Sequence, residues 1–273
     1  MQILIAALVL IVIFTGFLYK SIVGVFVAML LSLAAFALWR TRFKILGIAL
    51  AIALALPPLT LGTSSLYSRL HTYVHRYRLV VEVETPTGIQ SSASVIQVSY
   101  AEYMLVWNPS ASGLKIQPKG EAIFFDLGNG RNLVVTLGFG PTGADMDTLS
   151  VLAAKAFGRY QAFWYKQATS WEGRAELHGG LIPTLVTFGD PADPHTLRVV
   201  QPDEFVAVLG AGYRFKGAWI EMTKDDVTRG RIQEKLPWVG SYDAERIAER
   251  QMRLADQGKG SSGTPGMKFR RGQ

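Results

Sequence analysis

Hydrophobic positions follow two different regimes along this chain. Up to Gly62 they run almost continuously: residues 1–19, 21–39 and 45–62 carry no charged side chain, and the interruptions are Lys20 and the short loop holding Arg40, Arg42 and Lys44. From Tyr77 onward the apolar positions alternate with polar ones. A bilayer core about 30 Å thick is crossed by roughly 20 apolar residues of helix. The first regime therefore predicts three transmembrane helices. A cleaved leader is disfavoured for the first run, because no basic segment precedes it and Phe17-Leu18-Tyr19 ends it without a small-residue cleavage site. Pro57-Pro58 should kink or end the third helix.

The alternating regime predicts strands. In "YRLVVEVETPTGIQSSASVIQVSY", Tyr77, Leu79, Val81 and Val83 share one face while Arg78, Glu82 and Glu84 share the other, as in a half-buried strand. Thr85-Pro86-Thr87-Gly88 should turn that strand into a second one. "EAIFFDLGNGRNLVVTL" repeats the plan around Gly128-Asn129-Gly130. "DTLSVLAAKAFG" reads as a helix with Asp147 at its N-cap and Gly158 as its stop. "LIPTLVTF" is a further strand, and "QPDEFVAVLG" a short helix with Pro202 in its first turn. "YRFKGAWIEM" is a strand with a bulge expected at Gly217. A charged helix from Ser241 to about Asp256 should give way to a disordered Gly/Ser/Lys tail. The expected organisation is a three-helix anchor over 1–64, a soluble α+β domain on an antiparallel sheet over 65–240, and a charged helix with a basic tail over 241–273.

Composition sharpens this picture in three ways. The chain has 273 residues, mean hydropathy +0.21 and a formal net charge of +7, and its first acidic residue is Glu82. Residues 65–240 hold 17 basic and 17 acidic residues, so the folded part is neutral. Nucleic-acid binding needs a concentrated positive field and is not expected here. Cysteine is absent, which excludes disulfides, thiol catalysis and thiolate metal sites.

Charge also predicts topology. Arg40, Arg42 and Lys44 form the most basic short loop, which the positive-inside rule places in the cytoplasm. The N-terminus is then inside as well, and everything after Gly62 lies outside, which in a bacterial inner membrane means the periplasm. Arg69, Arg76 and Arg78 pull the other way, but large domains translocate despite such charges. Small residues recur every four positions at Gly24, Ala28 and Ser32, and again at Gly47, Ala51 and Ala55. Such stripes let helix backbones approach closely in lipid. No ionisable residue lies inside a run, so the helices are expected to anchor or assemble rather than to conduct.

Candidate chemistry is sparse. His71 and His75, four apart in an Arg- and Tyr-rich exit segment, would share one helix face at the headgroup level; no third ligand is evident for a metal. Gly138-Phe139-Gly140-Pro141-Thr142-Gly143 matches a dinucleotide loop in spacing. It follows a hairpin strand, however, and Pro141 removes an amide that should cradle phosphate, so a helix-entry loop is expected. Asp190, Asp193 and His195 fall in one loop, "GDPADPH", and are the candidates for a metal site or an enzyme, although Asp-Pro pairs are also ordinary turn formers. No catalytic residue, cofactor or metal follows from these motifs. Tyr160, Phe163, Trp164 and Trp171 fall on one helical stripe, which either packs in a core or meets a partner or membrane.

The stretches "YRLVVEVETPTGIQSSASVIQV" and "LVTFGDPADPHTLRVVQPDEFVAVLGAGYRFKGAWIEMTKDDVTRGRIQEKLPWV" resemble a group of proteobacterial membrane-associated proteins with no known activity. The shared features are the strand–Thr-Pro-x-Gly–Ser-rich strand opening, the "LVTF-x-D-x-x-DP" loop and a closing "LPW", within residues 77–239. The resemblance implies a bacterial source and no catalytic residues. Together these readings predict an inner-membrane accessory or assembly subunit. Its partners would be the bilayer and either another membrane protein or a second copy of itself.

Overall fold

The computed structural model describes residues 66–104, 110, 112–254 and 269–271. The three apolar runs, the Gly24/Ala28/Ser32 and Gly47/Ala51/Ala55 stripes and the Arg40/Arg42/Lys44 loop lie outside the described residues. Among the described residues, no helix is long and apolar enough to cross a membrane. The chain divides into two compact units, residues 1–72 with 101–115, and residues 73–100 with 116–273.

In the first unit a single helical turn covers residues 66–70. The His71 ring stacks on Tyr67 with centroids 4.0 Å apart, its Nδ1 lies 2.9 Å from the Tyr67 carbonyl, and its own carbonyl accepts the Glu102 amide at 3.0 Å. Leu66 and Leu70 stay 59% and 72% exposed.

The second unit is α+β and mostly sheet. Its strands, including those whose ends run into the first unit, are β1 (Thr72–Thr85), β2 (Gly88–Tyr103), β3 (Gly113–Glu121), β4 (Ile123–Gly128), β5 (Arg131–Phe139), β6 (Arg174–Glu176), β7 (Pro183–Phe188), β8 (Leu197–Val200), β9 (Arg214–Met222) and β10 (Arg270–Arg271). They form a six-stranded sheet in the order β10-β3-β2-β1-β9-β6 and a four-stranded sheet in the order β4-β5-β7-β8. The ladders β1–β9, β6–β9, β4–β5, β5–β7, β7–β8 and β3–β10 are all antiparallel. Helices are few and short: α1 (Asp147–Ala156), α2 (Trp164–Gln167), α3 (Phe205–Leu209), α4 (Arg231–Lys235) and α5 (Tyr242–Leu254).

The alternation read from the sequence sets the register of the first sheet. Tyr77, Leu79, Val81 and Val83 are buried on one face of β1, and Ile96, Val98 and Tyr100 are buried in β2. The Gly217 bulge is present: Glu82 pairs with Gly217 and Val83 with Phe215, leaving Lys216 between them. The β4–β5 hairpin turns at Asn129 and Gly130 with φ of 53° and 72°, the left-handed pair that a two-residue hairpin needs. Helix α1 packs on β5 and also receives hydroxyls from the first sheet, since Tyr77 Oη donates to Leu149 O at 2.9 Å and Tyr100 Oη donates to Ser150 O.

Three local expectations are corrected. The segment expected to place His71 and His75 on one helix face is a strand from Thr72 onward, because the alternation extends upstream through His75 and Tyr73. Asp147 is the first residue of α1 rather than its cap; Asp145 Oδ1 accepts the amides of Asp147 and Thr148, both at 3.0 Å, and Asp145 Oδ2 accepts the Thr148 hydroxyl at 2.6 Å. Pro202 lies before α3, which begins at Phe205.

Residues beyond Ser241 also belong to the packing. A second core lies between the four-stranded sheet and α4, α5 and the end of the chain, and includes Val186, Leu236, Trp238, Ala248, Met252 and Phe269. The Ala122 amide donates to Phe269 O at 2.9 Å, and Arg270 pairs with Glu121 on the edge of β3. Glu121 is buried, and its carboxylate accepts the amides of Gly230, Arg231 and Ile232, capping α4. The "LPW" motif is therefore core: Leu236 and Trp238 are buried, and the indole N–H of Trp238 donates to Pro191 O at 2.8 Å.

Candidate functional site

The least ordinary environment in the second unit surrounds His75. It stands on β1 two positions before Tyr77, on the inward face, and is 4% exposed. Tyr100 stacks on its ring at 5.5 Å and 13°, Tyr77 lies at 6.1 Å, and Trp164 meets it edge-on at 5.8 Å. Neither ring nitrogen has a hydrogen-bond partner. Leaving a buried donor or acceptor unsatisfied costs on the order of 1–3 kcal/mol. Burial pushes the His75 pKa down to about 4, so the ring is neutral at pH 7. Burial also raises the phenols of Tyr77 and Tyr100 above their ordinary range, where they serve as donors to α1.

His75 forms the inner wall of a cleft of ≈ 780 Å³, bordered by Val74, Arg76, Thr169, Ser170, Glu172 and Lys224. The Arg76 guanidinium is already engaged. Its Nε donates to Gln97 Oε1 at 2.9 Å and its Nη1 to the carbonyls of Lys224 and Asp225 at 3.2 and 3.0 Å. Arg78 pairs with Glu221 at 3.2 Å and with Asp225.

Beside this chamber lies the aromatic segment expected as one helical stripe. The chain divides it. Helix α2 covers only Trp164–Gln167, followed by a 3₁₀ turn at Ala168–Ser170. Phe163 takes a left-handed conformation, φ 59° and ψ 19°, which sends neighbouring side chains in opposite directions. Trp164 and Trp171 turn inward, are buried, and stack with centroids 5.9 Å apart. Tyr160 and Phe163 stay outside, 60% and 65% exposed. Lys166 Nζ lies 5.2 Å from the exposed Phe163 ring and 5.6 Å from Tyr73, while the Arg159 guanidinium lies 5.3 Å from the inward Trp171.

The two motifs with a textual claim on chemistry serve the backbone. Asp190 Oδ1 accepts the Ala192 amide and Asp193 Oδ1 accepts the His195 amide, each at 2.9 Å, as turn-forming Asp residues do. His195 is exposed, and among the described residues no group of three His, Asp or Glu side chains could hold a metal. The glycine loop doubles back on itself: a Cβ on Gly138 would come within 2.3 Å of Gly143 O, and Thr184 Oγ1 donates to Gly140 O at 2.6 Å. Only a hydrogen fits at Gly138, where the chain crosses itself.

His75 was missed by sequence reading because its spacing from His71 matches a helix. The signal that finds it is the period of two running Tyr73, His75, Tyr77, Leu79. Comparisons with family models, curated proteins and solved structures gave no match, so the functional reading rests on the geometry and the sequence.

Proposed function

We propose that this chain is a bacterial inner-membrane protein. Residues 1–64 form a three-helix anchor, and the α+β unit faces the periplasm and serves as an accessory or assembly subunit through protein contacts. The observation that carries this reading is continuity. An acid-free apolar stretch runs to Gly62, and the chain then enters a helical turn whose Leu66 and Leu70 are exposed. A second observation bears on topology. Arg76 and Arg78, the cations that pull the domain toward the cytoplasm, are strand residues satisfied by Asp225, Asp226 and Glu221. Large domains translocate largely regardless of charge, whereas short loops obey the positive-inside bias, which leaves Arg40, Arg42 and Lys44 as the stronger signal. The Gly24/Ala28/Ser32 and Gly47/Ala51/Ala55 stripes are the surfaces through which the anchor would meet a second membrane helix. In the Asp190/Asp193/His195 loop, one oxygen of each carboxylate accepts a backbone amide of its own turn, the ordinary role of Asp in such turns.

Reporter fusions test the arrangement. A reporter active only outside the cytoplasm, fused after Gln273, should be active, and one fused within the Arg40–Lys44 loop should be silent. The reverse pattern refutes the periplasmic placement.

A further inference from the structure

Residues 148–171 contain no acidic side chain but hold Lys155, Arg159 and Lys166. Within this acid-free stretch every residue from Gly158 to Phe163 is exposed. Tyr160 and Phe163 are the exposed aromatic side chains of this stretch, and Phe163 holds a left-handed backbone that only a few non-glycine residues adopt. Lys166 lies over both Phe163 and Tyr73, so the rim is built around the start of β1. An amphipathic Tyr ring and an apolar Phe ring, on a segment that carries cations and no acids, match the boundary between the acyl chains and the headgroups of a membrane carrying negative charge. The tether is short: eleven positions separate Gly62 from Tyr73, at most about 40 Å of extended chain, and the helical turn at residues 66–70 shortens that reach further.

We propose that Arg159, Tyr160, Phe163 and Lys166 form a lipid-docking rim that rests on anionic headgroups of the membrane anchoring the chain. This rests on the anchor reading above. Docking would hold the chamber around His75 and its cleft in a fixed orientation to the bilayer.

The absence of cysteine makes the test direct. Phe163→Cys, and separately Tyr160→Cys in case the left-handed position tolerates change poorly, each create a single attachment point for a nitroxide in the full chain. Asp203→Cys in an exposed turn is the reference. Each labelled protein is reconstituted into phosphatidylcholine vesicles with and without phosphatidylglycerol. Vesicle flotation is followed together with collision of the label with a water-soluble nickel chelate. Labels at 163 and 160 should be shielded in the anionic vesicles and the label at 203 should not. Neutralising Arg159 and Lys166 to Gln should lower the docked-to-free ratio by about fivefold for each cation. If the protein floats but the label at 163 is as accessible as that at 203, the anchor stands and the rim proposal falls. If flotation is lost, both fall. Shielding that persists in detergent, with dipolar broadening between labels, identifies a second copy as the occupant and overturns the lipid assignment.

Discussion

His75 is a histidine that the fold holds in its neutral form. Its pKa is pushed by burial from 6.5 to about 4, so between those values the unfolded chain binds a proton that the folded chain does not. Stability is then full above about pH 6.5 and declines as pH falls toward 4, by on the order of 3 kcal/mol. His75→Phe keeps an aromatic ring against Tyr100 and Trp164 and removes two unpartnered nitrogens. The variant should be at least as stable as the parent at pH 7, and its denaturation midpoint should lose much of the decline between pH 6.5 and 4. Denaturant titrations followed by tryptophan fluorescence at several pH values check this. Equal pH dependence in parent and variant refutes the assignment.

Among the elements, α1 shows how much was legible in the text and where legibility stopped. Its extent and its stop were readable: Gly158 has φ +65°, and its amide closes the helix on Lys155 O. Its cap was displaced by two residues because Asp145 and Asp147 are equivalent by type. Only the chain reversal, with Phe139 and Asp145 bridged, decides which carboxylate reaches the amides. Partial burial alone would raise the Asp145 carboxyl, but the Thr148 hydroxyl, the amides of Thr148 and Asp147 and the charge of Lys155 hold it below the ordinary range. Asp145→Ala should cost about 1 kcal/mol, with Asp147→Ala near neutral. Paired thermal melts distinguish them, and the Asp145 contribution should fade below about pH 4, as the carboxylate takes up its proton. The β1–β2 and β4–β5 hairpins were legible because period-two alternation and turn residues are local. The division of Tyr160 and Phe163 from Trp164 and Trp171 was not, because helical spacing assumes a continuous helix and one left-handed residue breaks it. His75 was hidden for a similar reason, since i, i+4 spacing fits either a helix or one face of a strand.

At the scale of the whole molecule, the end of the chain is a structural part. Phe269 is buried and meets Trp238 edge-on at 5.1 Å, and Arg270 and Arg271 extend the first sheet. Charged, Gly-rich composition predicted a tail here because composition does not register one aromatic anchor beyond a polar stretch. Phe269→Ala should cost about 3–5 kcal/mol, a large share of the roughly 5–15 kcal/mol that holds a domain together. Thermal melts of the full chain in detergent should show a marked fall, and an unchanged melting temperature would mean that the C-terminus contributes little. The pairing of Arg270 with Glu121 also has a consequence in time. It joins segments separated by more than half the chain, and such contacts form late and slowly. The core beneath Trp238 cannot close until Phe269 has been synthesised. The nascent unit must therefore wait with that surface open, a window in which a chaperone would find it.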